Sequence, residues 1–298
     1  MDDETARSAP LDELDALMAT PARWPEIPLE TLHQLVYYQC LSYGMDPDDA
    51  AVPGLTALYR VAVARMHPGA RQQIVTHLGR VLDRVHREQD VQEGAGCTNA
   101  LLPILVGDPD PSVVASAAFE MATLLPLEDD DPMTGPRYVH TLLEDVDDEP
   151  RAGLVAALLQ VGDRRVAPLV AGAWRQLGFE GRQSLALLIL GLRALHAVTV
   201  EFLVSWLEDE AADTSAPGFG IVAATLARAG RHAGEHGVLE ATRILPVTAA
   251  GPGETFATSQ TLTRETVAAA IAPRLAAVAR REQPPELTRQ VLDEWGLE

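Results

Sequence analysis

The chain of 298 residues can bury a substantial core as one large domain or two. Its 43 acids against 23 bases, every base an arginine, leave a formal net charge of −20. That excess opposes nucleic acids and anionic membranes, which are held by Lys and Arg, and the missing lysine excludes Walker A loops, kinases and pyridoxal phosphate Schiff bases.

Residues 1–10 are expected to form a disordered tail, followed by a short helix over Leu11–Ala19. Pro21, Pro25 and Pro28 predict an extended link, because the residue before a proline is pushed out of the helical region. Leu32, Leu35, Val36, Cys40 and Tyr43 give one apolar face to a helix over 29–43, stopped by Gly44. A second helix is predicted near 49–66, with Pro53 tolerated at its start. A third, near 70–89, turns Ile74, Leu78, Val81, Leu82 and Val85 inward and Arg80, Arg84 and Arg87 outward, with His77 in line. Residues 11–96 read as a divergent helical N-terminal cap, because they lack the phrase that follows.

That phrase is an acidic turn, then an Ala/Leu/Val-rich helix, then a second helix. Asp108-Pro-Asp-Pro-Ser-Val-Val-Ala-Ser-Ala-Ala and Asp147-Asp-Glu-Pro-Arg-Ala-Gly-Leu-Val-Ala-Ala align on Pro111 and Pro150. Ala156-Ala-Leu-Leu-Gln-Val-Gly returns as Ala223-Ala-Thr-Leu-Ala-Arg-Ala-Gly. The predicted pairs are 98–106 with 111–125, 136–145 with 150–161, 164–177 with 181–195 and 197–208 with 217–229, then a helix near 236–245. An apolar fraction of 47% with only 5% aromatics suits such close helix packing. Recurrence of one unit predicts an all-α fold, an α-solenoid of stacked helix pairs over 97–246.

The Asp-rich turn with its proline, and the small-residue helix carrying Val113, Val114, Ala117, Ala118 and Met121, resemble HEAT repeats. The Arg that follows Val in that family is missing here, so the resemblance holds at superfamily level and covers about half the chain. It implies HEAT-like helix pairs and a binding surface. HEAT-like folds also occur in bilin-lyase-like proteins and in DNA glycosylases, and a glycosylase needs a basic cleft that this composition opposes.

Residues 247–263 are expected to form a long loop, functional or disordered. Residues 264–298 read as a C-terminal capping helix pair, interrupted at Pro273 and at Pro284-Pro285, with Trp295 covering the end of the stack. Cap, repeats, loop and capping pair are expected to make one continuous domain. The acidic start, Met1 to Arg7, lacks the basic and apolar regions of a signal peptide. The apolar stretch from Leu185 to Trp206 is broken by Arg193, His196 and Glu201, as in a buried helix pair rather than a membrane span. Two cysteines without a C-x-x-C fit a reducing cytosol, so a cytoplasmic location is expected.

The acids offer the first candidate site. Asp108, Asp110, Asp129, Asp130, Asp131, Asp145, Asp147, Asp148 and Glu149 fall in successive turns, which a solenoid would gather on one edge. They can solvate helix N-termini, or receive arginines and lysines of a basic protein partner. An EF-hand reading from Asp145 fails, because Pro150 stands where Gly is required and Ala156 where Glu is. His232-Ala-Gly-Glu235-His236 matches H-x-x-E-H, a zinc arrangement that needs a helix. Gly230, Gly234 and Gly237 around it predict a polar turn with exposed histidines, so no metal is assigned to His232, Glu235 and His236. Cys97, after Gly94-Ala-Gly, is expected to open a helix, where a thiol pKa falls, or to be a buried structural residue. Trp24, Trp174 and Trp206 are read as core fillers or interface anchors.

The resulting expectation is a non-catalytic scaffold or adaptor, with no cofactor, that binds a basic protein and neither nucleic acid nor membrane. An immunity or antitoxin factor would be one such protein. The alternatives are a solenoid-based enzyme or lyase-chaperone, and a structural subunit of an oligomer.

Overall fold

The computed structural model describes residues 11–45, 51–65, 68–88, 91–124, 131, 133–192, 194–212, 217–244, 257–281 and 286–297. Two compact units result, Met1–Ile104 and Leu105–Glu298.

The first unit contains α1 (Leu11–Met18), α2 (Leu29–Met45), α3 (Ala51–Ala64), α4 (Pro68–Glu88) and most of α5 (Val91–Gly107). A 3-10 turn over Pro21–Glu26 replaces the extended link expected from the prolines. Trp24 anchors it, buried and donating Nε1 to the Leu17 carbonyl at 2.9 Å. The bond satisfies the indole while its ring fills the core. Gly44 lies inside α2 rather than ending it. Helix α5 starts six residues before Cys97, so this cysteine does not open a helix and the thiol argument from a helix N-terminus lapses. His77, expected on the outer face of α4, is buried, and so is Arg71.

The second unit continues with α6 (Pro111–Leu124), α7 (Thr134–Thr141), α8 (Asp148–Val161), the four-residue α9 (Ala167–Val170), α10 (Phe179–Gly191), α11 (Ala197–Glu210) and α12 (Pro217–His236). Strands β1 (Val238–Ile244) and β2 (Ala257–Leu262) and helices α13 (Arg264–Ala279) and α14 (Glu286–Trp295) complete it. The described chain is therefore mostly helical with one two-stranded antiparallel sheet.

Packing follows from residue type. Eight successive residues, Ala152 to Leu159, are buried, so α8 is apolar all round and needs neighbours on every side. Helix α6 lies against α8, α8 against α10, α10 against α12 and α12 against α14. These five helices run the same way. Asp148 at the start of α8 meets Gly178 and Gly181 at the start of α10, and Leu287 near the start of α14 meets Gly220 of α12. Gly153 permits the tightest of these contacts, because a Cβ there would fall 2.6 Å from the Pro111 carbonyl oxygen of α6. Helices α7, α11 and α13 intervene in sequence, and α11 packs on both α12 and α13. Trp174 and Trp206 are core residues, with ring centroids 5.5 Å apart.

Three expectations give way here. The helix predicted over 164–177 is broken into a 3-10 turn, α9 and a second 3-10 turn. The helix predicted near 236–245 is strand β1. Gly237, at φ 76°, ends α12 in a conformation that side chains resist and redirects the chain into extended structure. The loop predicted over 247–263 includes β2, which pairs with β1 from Val238–Leu262 to Ile244–Ala257. Residues 245–256 lie outside the described set. No helix among the described residues is long and apolar enough to cross a membrane.

Candidate functional site

The acidic residues divide into those that close turns and those that do not. Asp108 is fully buried, and its Oδ1 accepts the Asp110 amide at 2.8 Å. Asp110 Oδ1 accepts the Ser112 amide at 2.9 Å and the Ser112 hydroxyl at 2.7 Å, which satisfies donors at the start of α6. Asp131 Oδ1 accepts the Met133 amide at 3.0 Å, and Oδ2 pairs with Arg137 Nη1 at 2.7 Å. The Met133 amide bond, helped by Arg137, holds the Asp131 carboxyl below its usual range. Asp148 reaches across to α10, where its Oδ2 accepts the Gly178 amide at 2.7 Å. Its Oδ1 faces Arg151 at 3.4 Å. Asp129 and Asp130 lie outside the described residues.

What remains is the turn between α7 and α8. Among the described residues, the Glu144, Asp145, Asp147 and Glu149 carboxylates have no side-chain hydrogen bond or ion pair. Glu144, Asp145 and Asp147 are exposed and Glu149 half-buried. Of the nine predicted acids, Asp108, Asp110, Asp131 and Asp148 bond to neighbouring groups, and Asp145, Asp147 and Glu149 do not. Four are spent on local structure, and among the described residues Glu144, Asp145, Asp147 and Glu149 place four unbonded carboxylates within six residues of chain.

Elsewhere, arginines tie the elements of the second unit together. Arg274 of α13 grips Glu208 of α11 through Nε at 2.9 Å and Nη2 at 2.5 Å. Arg175 meets Asp209 at 2.5 Å, and Arg164 bridges Glu201 at 3.2 Å and Glu240 at 2.6 Å. Arg182 of α10 pairs with the buried Glu210 of α11, which also accepts the Trp206 indole N–H at 3.3 Å. Sequence reasoning missed this group because its members stand far apart in the chain and meet only by packing.

The His232–Glu235–His236 motif lies in the last turns of α12, not in the predicted loop. The helix brings the two imidazoles together with ring centroids 4.7 Å apart, as positions four apart require. His236 and Glu235 are exposed, and His236 Nε2 stands 3.6 Å from Glu235 Oε2. Among the described residues, no three His, Cys, Asp or Glu side chains converge as metal ligands.

His232 faces a feature that no sequence pattern announced, a 210 Å³ pocket between the end of α10 and the second half of α12. One rim is fixed to the sheet, since Leu239 donates its amide to the Leu195 carbonyl at 2.8 Å. Phe179 and Leu187 of α10 are also exposed, at 52% and 62%. Comparison with protein-family models, curated proteins and solved structures found no match to this chain.

Proposed function

We propose that this protein is a non-catalytic scaffold, an α-solenoid of HEAT-like helix pairs that binds a basic protein through its open acidic turn. The observation that carries the reading is the set of unpaired carboxylates at Glu144, Asp145, Asp147 and Glu149, beside the start of a helix embedded in a parallel stack. A rigid array that presents fixed charges loses little freedom on association, so complementary Lys and Arg side chains gain most of their attraction. The net charge of −20 adds a long-range field that speeds encounter with a cationic partner. Neutralisation of a basic or nucleic-acid-directed protein, as by an immunity or antitoxin factor, is the specific form we favour.

The test is a pull-down from the native host with the wild-type chain and with Glu144→Gln/Asp145→Asn/Asp147→Asn/Glu149→Gln. A basic partner should be retained by the wild type near 0.15 M salt, where screening reaches about 8 Å, and released by the variant and by about 1 M salt. Recovery of acidic or neutral partners alone, or retention insensitive to salt and to the four substitutions, overturns the proposal.

A further inference from the structure

The pocket between α10 and α12 joins two features that point to one class of ligand. Its walls are mainly aliphatic, from Ile189, Leu190, Leu192 and Leu195. Arg228, exposed at its edge, makes no hydrogen bond or ion pair among the described residues, whereas Arg151, Arg164, Arg175, Arg182 and Arg274 of the same unit are each engaged with carboxylates. His232 also lines the pocket, with its Nδ1 atom turned into the protein rather than toward the cavity. Arg228 and His232 stand four residues apart on α12, so they share a face of the helix and both line the pocket.

We propose that this pocket binds a small monocarboxylate with a compact apolar body. The guanidinium of Arg228 holds the carboxylate through charge-assisted, fork-shaped bonds. The aliphatic walls cover the body of the ligand. Size limits that body, since an apolar cavity of about 150 Å³ accepts benzene, and 210 Å³ therefore accommodates a somewhat larger molecule. The proposal is independent of the acidic turn and of the partner argued for it.

Phenylacetate, with about ten non-hydrogen atoms, is the probe. Added to the full chain, it should bind saturably with a Kd on the order of 0.1–1 mM, the range open to a ligand of that size. Amide and methyl NMR shifts should concentrate at Leu190, Leu195 and Ala229. The uncharged 2-phenylethanol should bind at least roughly 10-fold more weakly, and Arg228→Gln should weaken phenylacetate by a similar factor, because a hydrogen bond to a charged group is lost. Arg228 is exposed, so its replacement leaves the fold in place. Ala229→Leu, which fills the pocket from α12, should abolish binding, with the fold checked by circular dichroism. Absence of saturation, shifts centred elsewhere, or equal binding of the neutral alcohol or by Arg228→Gln overturns the assignment.

Discussion

The contact between α6 and α8 is the tightest in the row of parallel helices, and Gly153→Ala tests it by the sign of its effect. In a helix interior, replacing Gly by Ala is worth up to about 1 kcal/mol of stability through propensity alone. Here the added Cβ would sit 2.6 Å from the Pro111 carbonyl oxygen, 2.8 Å from Val114 Cβ and 2.9 Å from Val114 Cγ1. None of these atoms lies at the far end of a flexible side chain. Overpacking of this kind costs about 1–3 kcal/mol, and three simultaneous clashes belong to the upper half of that range. The net expectation is a loss of about 1–2 kcal/mol, which lowers Tm by roughly 2–8 °C for a chain of this size. Gly220→Ala supplies the control, because its Cβ would meet only Leu287 Cδ1 at 3.9 Å, so it should stabilise by up to about 1 kcal/mol. Thermal melting followed by circular dichroism, with hydrogen exchange of α8 amides, reads both. A Gly153→Ala protein as stable as the parent would refute the close approach of α6 and α8.

Three further outcomes follow from the packing of the second unit. Arg182→Met leaves Glu210 buried without its cation and should destabilise by about 3–5 kcal/mol in urea unfolding, while Arg182→Met/Glu210→Leu should recover much of that loss. Trp295→Phe removes the indole bond to the Leu226 carbonyl at 3.0 Å and should cost about 1–2 kcal/mol, against about 3–5 for Trp295→Ala. Burial holds the His196 imidazole below its ordinary pKa of 6.5, so the unfolded chain takes up the proton first as pH falls. Stability should therefore decline from about pH 6.5 downward until the folded imidazole also protonates, and His196→Asn should flatten that decline; a pH-independent difference between the two proteins would refute it.

The repeat pattern located most helices because apolar spacing and acidic turns are local signals. Asp108–Pro111 and Asp147–Pro150 predict helix starts, and α6 and α8 begin at Pro111 and Asp148. Failures cluster where tertiary structure outweighs local composition. Gly230 and Gly234 argued for a turn, yet both lie inside α12, whose residues Phe219, Val222, Ala223, Leu226, Ala227 and Ala233 are buried. Propensity is a weak prior against that much packing. The sequence of strand β1 predicts a helix because its partner, β2, is separated from it by residues 245–256, and no short-range hairpin signal links them. The pocket was missed for a similar reason, since Leu195 and His232 converge only through the fold.

The acidity itself separates into two parts once the helix directions are known. Five parallel helices bring five N-termini toward one edge of the unit, and each N-terminus carries about half a positive charge. An acid stands at every one of them. Asp110 precedes α6, Asp148 and Glu149 open α8, Glu180 opens α10 and Glu286 opens α14. Helix α12 has no acid in its first turn, but Glu210 of α11 lies so close to Gly218 that a Cβ there would fall 2.6 Å from its Oε1. Four of these positions are visible as acids before a helical run. The fifth is not, because its carboxylate arrives from another helix. Each such placement stabilises by roughly 0.3–1 kcal/mol, so this portion of the charge is accounted for by the stack. Glu144, Asp145 and Asp147 are not needed for that purpose, since Asp148 and Glu149 already stand in the first turn of α8. Three exposed like charges within four residues repel one another, by about 1 kcal/mol or less per pair in water. Replacing these three by Asn or Gln should therefore leave stability unchanged or slightly raise it, as urea unfolding would read. Loss of stability instead would return them to the structural group.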